Sequence, residues 1–159
     1  MEEIMKKKIG VAAIITIILV SMVIIYINNI TPKAELVANV INNLSFAVQD
    51  STASNKGDLL IIKIVNNSDL KIYNDNVFFN YPIKQKNGYV ENKYKIEAVL
   101  TKKVMKPKEE MFISVLIPFG DFISEENFHK DLLYYEYEGY YDKISEKTSF
   151  FISNYIPTN

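Results

Sequence analysis

Leu59-Leu60-Ile61-Ile62-Lys63-Ile64-Val65 (LLIIKIV, residues 59–65) decides how most of this chain is read. Seven residues, six of them apolar and four of those β-branched, are too few for a stable helix and right for a strand. Its near-continuous apolar character predicts a central strand covered on both faces. Turn formers bound it on either side: Asp50 to Gly57 (DSTASNKG) before it and Asn66-Asn67-Ser68-Asp69 after it. The stretch therefore belongs to a sheet.

Working outward, the same alternation recurs. Leu44, Phe46 and Val48 alternate with small or polar residues, as do Val77, Phe79 and Tyr81. Pro82 then limits ladder pairing, and Asn87-Gly88 signals a tight turn. Tyr94, Ile96, Ala98 and Leu100 predict a further strand with one wetter face, and Met111, Ile113, Val115 and Ile117 another, closed by Pro118. Ser124-Glu125-Glu126 predicts a short helical turn through about Lys130. Leu132–Tyr137 and Ser149–Ser153 complete about seven short strands, the pattern of a β-sandwich spanning residues 44–156.

The N-terminal part obeys a different rule. Ile9 to Ile27 (IGVAAIITIILVSMVIIYI) has no charge and no proline, and its polar side chains are Thr16, Ser21 and the Tyr26 hydroxyl. As a helix it is roughly 29 Å long, close to the ~30 Å hydrocarbon thickness of a bilayer. Lys6, Lys7 and Lys8 precede it, whereas Lys33 is the one lysine soon after it. The positive-inside rule thus predicts a cytoplasmic tail (1–8), a transmembrane helix (9–27) and an exported remainder. The apolar core is longer than a signal-peptide h-region, which favours an uncleaved anchor. Residues 28–43 are expected to form a juxtamembrane linker or a short helix, with Thr31 as cap and Pro32 at its first position. An eight-residue link from Asn28 to Glu35 would hold the sandwich at the outer membrane face.

Composition narrows the function classes. The exported part keeps all but three of the 18 lysines and all but two of the 19 acids, so it is slightly acidic and offers nucleic acid no basic surface. With no cysteine, disulfides, thiolate chemistry and cysteine-ligated metal are excluded. Arginine is absent and Ile and Asn abound, which suggests an AT-rich bacterial genome.

The run IKIVNNSDLKIYNDNVFFNYPIKQKNGYV (62–90), followed by LTKKVMKPKEEMFISVLIP (100–118), resembles the bacterial FxLYD family of immunoglobulin-like extracellular sandwiches. Phe78 and Tyr81 match the family's aromatic strand; Asn80 and Pro82 depart from its Leu and Asp, and Lys108 replaces its turn glycine. The resemblance covers about half of the exported region. It implies an anchored or secreted envelope module with no catalytic residues assigned to the fold.

Candidate chemistry is sparse. The single histidine, His129, lies in a polar turn without convincing partners for a triad or a zinc site. Asp69, Asn74, Asp75 and Asn76 offer oxygen atoms but lack calcium-loop spacing. Glu136 and Glu138 share one strand face and read as its solvated side. The sequons at Asn29, Asn43 and Asn66 carry little weight in so asparagine-rich a chain. No catalytic residue, metal or cofactor is expected. The best candidate binding surface is Tyr134, Tyr140 and Tyr141, with Gly139 as a bulge that re-aims the last two. The sequence thus predicts a membrane-anchored immunoglobulin-like β-sandwich, non-catalytic, partnered by the lipid bilayer and by a protein at the outer membrane face. The alternative function is binding of wall glycan or a small ligand through those tyrosines, ahead of an envelope hydrolase, for which no pair of acids stands out.

Overall fold

The computed structural model describes residues 2–119 and 125–158, with the side chains of 2–14 and 27–32 outside that description. The chain divides into two compact units, Met1–Leu36 and Val37–Asn159.

In the first unit the backbone belongs to one helix, α1, which runs Glu2–Asn43 and ends inside the second unit. It continues through Pro32, where the sequence predicted a fresh start. The missing proline N–H removes one rung of the helical ladder, and the rungs on either side carry the helix across it. Among the described residues no helix is long and apolar enough to cross a membrane. The described side chains of the apolar stretch are those of 15–26; Ile9–Ile14, Ile27 and the orienting Lys6, Lys7 and Lys8 lie outside them.

The second unit is mainly β. Among the described residues its ten strands are β1 (Leu44–Ser54), β2 (Gly57–Asn66), β3 (Ile72–Asn80), β4 (Ile83–Gln85), β5 (Gly88–Val90), β6 (Ile96–Glu97), β7 (Val104–Met105), β8 (Glu110–Pro118), β9 (Leu132–Tyr141) and β10 (Ser149–Pro157). One sheet has the order β1-β2-β8; the other has β10-β9-β3, with β6 and β7 both pairing β3; β4 and β5 form a separate hairpin. Every pairing is antiparallel.

Strand alternation supplies the core between the sheets. Leu60, Ile62 and Ile64 of β2 and Met111, Ile113, Val115 and Ile117 of β8 are buried with Val77 and Phe79 of β3, Leu133, Tyr135 and Tyr137 of β9, and Phe150 and Ile152 of β10. Phe46 on β1 reaches across to stack on Tyr135 with ring centroids 4.1 Å apart. Val40, from the last turns of α1, closes one side of this core.

Strand β2 is central in its sheet, as expected, but only one of its faces is covered. Leu59 is 43 % exposed, and Ile61, Lys63 and Val65 are half-buried on the outer side. Six apolar residues out of seven read as two buried faces; a sandwich strand needs only three of them inside. The stretch read as a turn, Asp50–Gly57, instead continues β1 to Ser54 and turns only at Asn55-Lys56. The strand expected over Tyr94–Leu100 shrinks to Ile96-Glu97. Asn92 and Ala98 are buried there, while Tyr94 and Val99 face solvent, so period-2 alternation arose in an irregular loop.

Two turns interlock below the core. The buried Asn66 side chain donates to the carbonyls of Leu70 (2.8 Å) and Lys106 (3.1 Å) and accepts from the Ser68 amide and hydroxyl. Backbone bonds from Asn66 N–H to Glu109 O and from Lys108 N–H to Asn66 O join the same two segments. The Asn-Asn-Ser and Pro-Lys-Glu turns are therefore one structural unit.

Buried phenols make this core sensitive to alkali. Tyr137 is fully buried and donates to Asn74 Oδ1. Burial holds its phenol well above the usual range, and burial followed by the nearby Asp58 carboxylate does the same to Tyr81. An unfolded tyrosine loses its proton near pH ~10, so above that pH the unfolded chain binds fewer protons than the folded one. Stability contributed by Tyr81 and Tyr137 is therefore complete below pH ~10 and declines as pH rises beyond it, by up to about 1.4 kcal/mol per pH unit for each. Thermal melts between about pH 9 and about pH 12 should show this fall, with buried phenolate absorbance appearing only as structure is lost. Ionisation of both phenols in a still-folded chain of constant stability would refute it.

Candidate functional site

The outer face of the β10-β9-β3 sheet is where polar and aromatic side chains gather. Alternation along β9 turns Leu133, Tyr135, Tyr137 and Tyr141 inward and leaves Tyr134, Glu136, Glu138 and Tyr140 half-buried on the outside. Tyr134 stands opposite Tyr155 of β10 in the ladder, and their ring centroids are 5.1 Å apart. Tyr89, carried by the β4–β5 hairpin, meets Tyr155 at 5.3 Å and His129 at 5.3 Å on its other side. The result is a row of four rings: Tyr134, Tyr155, Tyr89 and His129.

An ion cluster flanks this row. Lys95 Nζ lies 2.5 Å from Glu136 Oε1 and 3.2 Å from Glu91 Oε1, and 5.7 Å from the centroid of the Tyr134 ring. Tyr134 Oη donates to Glu136 Oε1 at 2.9 Å. The Glu136 hydrogen bond, with help from Glu91 and against partial desolvation, raises the Lys95 ammonium above its ordinary value. Burial, then the Glu136 bond, raises the Tyr134 phenol; burial, then Tyr89 and Glu91, raises that of Tyr155. These shifts carry a lysine and two tyrosines further from neutrality. At pH near 7 the cluster presents fixed charge and neutral hydroxyls.

Of the three tyrosines singled out from sequence, Tyr134 alone joins the row. Tyr140 is on the same face at the far end of β9, where it lines a hollow of about 410 Å³ with Asp75, Glu138 and Phe151. Tyr141 is a core residue, 4 % exposed, with its hydroxyl directed to the Lys147 carbonyl. The expected bulge at Gly139 is absent from β9, so nothing re-aims Tyr141; the register shift falls on β3, between Asn74 and Asn76. Gly139 is required for another reason: a Cβ there would stand 2.8 Å from the Tyr73 carbonyl oxygen and 3.0 Å from the Phe150 ring.

Sequence reasoning missed Tyr89 and Tyr155. The signals were the hairpin turn before Tyr89 and the outward phase of Tyr155 on its strand, but only the β9–β10 register brings Tyr155 to Tyr134. His129, which the sequence places in a polar turn, is half-buried against Tyr89. Asn74, weighed as a cation ligand, is buried and committed to Tyr137 and to the Lys102 carbonyl. Among the described residues no group of three or more His, Asp or Glu could hold a metal ion. No protein-family model matches the chain, and no curated protein matches it.

A second cluster stands apart from this face. Asp58 is 2 % exposed, and its Oδ2 lies 2.7 Å from Lys130 Nζ, which is also 2.7 Å from Glu125 Oε1. Lys130 Nζ is 4.6 Å from the centre of the Phe119 ring. Burial works against the Lys130 charge, and the bonds to Asp58 and Glu125 outweigh it, so its ammonium is held above the usual range. Lys130 is met by a carboxylate on each side, which makes the cluster a brace.

Proposed function

We propose that this chain is a single-pass membrane protein whose β-sandwich works outside the cytoplasm as a non-catalytic interaction or assembly module of the bacterial cell envelope. The observation that carries this reading is the surface of α1 over residues 15–26. Ile15, Ile17, Ile18, Leu19, Val20, Met22, Val23, Ile24, Ile25 and Tyr26 are all exposed. Twelve residues make more than three turns, so the apolar surface faces every direction. The Ser21 hydroxyl donates to the Ile17 carbonyl at 2.8 Å, the internal partner a hydroxyl needs where water is excluded. Lipid is the solvent that suits such a surface, and Lys6, Lys7 and Lys8 orient it with the N-terminus inside.

The sandwich is read as immunoglobulin-like. The sheet orders β1-β2-β8 and β10-β9-β3 correspond to the A-B-E and G-F-C strands of that fold. The FxLYD likeness gains support from Lys108, whose φ of 63° is a left-handed conformation that glycine ordinarily fills, at the position where the family has its glycine. A protein partner at the outer membrane face suits the tyrosine row better than a glycan does. The rings meet at interplanar angles of 55–80°, so they present edges and hydroxyls beside a fixed ion cluster in place of a flat stacking ramp.

Fractionation of the full chain expressed in bacteria tests this. The protein should remain in membranes through high salt and leave only with detergent, and a reporter fused behind Thr158 should be active outside alone. Leu19→Lys should oppose insertion by roughly 3 kcal/mol, about a 100-fold change in that equilibrium. Crosslinking in intact cells should capture a membrane protein. Recovery of the unaltered chain in the aqueous fraction without detergent would overturn the proposal.

A further inference from the structure

The four lateral edges of the sandwich are not alike. Strand β1 is blunted by Asp50 and by a register shift between Val48 and Asp50. Strand β8 carries Glu110, and its outer rim is occupied where Thr101 Oγ1 donates to Phe112 O (2.9 Å) and Lys102 Nζ to Glu110 O (3.1 Å). On the far side of β3 the pairing strands β6 and β7 are two residues each. Strand β10 has none of these devices before Tyr155, although β1 of the facing sheet comes close to it. Its nine residues, SFFISNYIP, contain no charge, its register with β9 is unbroken, and among the described residues it pairs with β9 alone. Long, regular, uncharged edges are the ones that accept another strand.

The backbone shows which groups are on offer. The Tyr155 N–H donates to Asn154 Oδ1 at 2.8 Å, so it points away from β9, whereas the Thr158 N–H donates to Asp131 O on the β9 side. Antiparallel ladders alternate, so the amides and carbonyls of Ser149, Phe151 and Ser153 also face outward. Beyond them the edge closes itself: the Tyr155 amide is engaged, and Pro157 has no N–H. The open template is Ser149–Ser153, with the half-exposed Phe151 at its centre.

We infer that β10 is a dimerisation edge, and that its partner is the β10 strand of a second copy of this chain. Antiparallel pairing about a two-fold axis through Phe151 sets Phe151 against Phe151 and Ser149 against Ser153. All outward rungs between Ser149 and Ser153 are then satisfied at once, because each is an odd-numbered position and the axis falls on an odd-numbered residue. The exposed phenylalanines form a cross-strand aromatic pair at the axis, and no like charges oppose each other. The two five-stranded sheets become one continuous sheet. This inference stands on the sheet edge and does not require the bilayer.

The chain has no cysteine, so single-cysteine variants of the full-length protein report the register directly. In detergent micelles under mild oxidation, Phe151→Cys should crosslink to itself. Ser149→Cys and Ser153→Cys should crosslink to each other when mixed but not alone, since like positions are then about 14 Å apart and disulfides need Cα atoms within about 7 Å. Thr52→Cys on the blunted β1 edge should stay uncrosslinked. Light scattering should give twice the chain mass, halved by Ser153→Pro, which removes an outward N–H and no bond to β9. Phe151→Lys, on an exposed side chain, should halve it as well. A monomer at all concentrations, crosslinking of Ser149→Cys or Ser153→Cys alone, equal crosslinking at Thr52→Cys, or crosslinks to a different protein only would overturn the inference.

Discussion

Gly57→Ala is expected to remove about 2–6 kcal/mol of stability, a large share of the roughly 5–15 kcal/mol that holds a domain of this size together. Gly57 opens β2 with φ of 148°, a conformation that side chains with a Cβ rarely adopt. That backbone cost alone is roughly 1–3 kcal/mol. An added Cβ would also stand 2.3 Å from the Ile117 carbonyl oxygen and 2.8 Å from the Pro118 Cα, both backbone atoms of the neighbouring strand β8. No side chain can swing aside, so β8 itself must shift, which adds another ~1–3 kcal/mol. Gly88 separates the two effects. It has φ of 132° but open space where a Cβ would go, so Gly88→Ala should lose only the backbone part. Urea denaturation of both variants measures the difference; equal losses would mean that the close approach to β8 is inconsequential.

The second large effect is an asymmetry in the Asp58–Lys130 pair. Lys130→Met should cost about 3 kcal/mol, the low end for breaking a buried pair, because Lys130 keeps 30 % of its side chain exposed while Asp58 keeps 2 %. It leaves a carboxylate buried without its cation, and Asp58 Oδ1 already accepts no hydrogen bond from the described residues. The reverse change is gentler. After Asp58→Asn, Lys130 still has Glu125 at 2.7 Å and access to water, so the loss should stay below about 1.5 kcal/mol. Denaturation midpoints decide this, and a larger cost for Asp58→Asn than for Lys130→Met would show that the exposed partner, not the buried one, sets the energy.

Both effects fall on residues that sequence reading passed over, and the reason is the same. Gly57 was read as the end of a turn, and Asp58 carries no local signal that sets it apart from the chain's other acids. Their importance comes from β8, Phe119 and Lys130, which are distant in the chain. The tyrosine row behaves likewise. Tyr134 was found because β9 carries its own alternation, and Tyr141 was misplaced because one assumed bulge at Gly139 reverses every side chain beyond it. Tyr89 and Tyr155 belong to elements that have no reason to meet until β4–β5 folds over the sheet.

Local order was written plainly in this chain. The apolar helix, the β character from Leu44 onward, the inward phase of Leu133, Tyr135 and Tyr137, and the Asn66–Asp69 turn each follow from side chains a few residues apart, where period and turn chemistry act directly. Which strand lies beside which was decided by the packed sandwich alone. Pairing β2 with β8 and β9 with both β3 and β10 is a matter of long-range burial. That pairing uncovers one face of β2, buries Asp58 and Tyr141, assembles the outer aromatic row, and leaves β10 as the edge with open hydrogen-bonding groups.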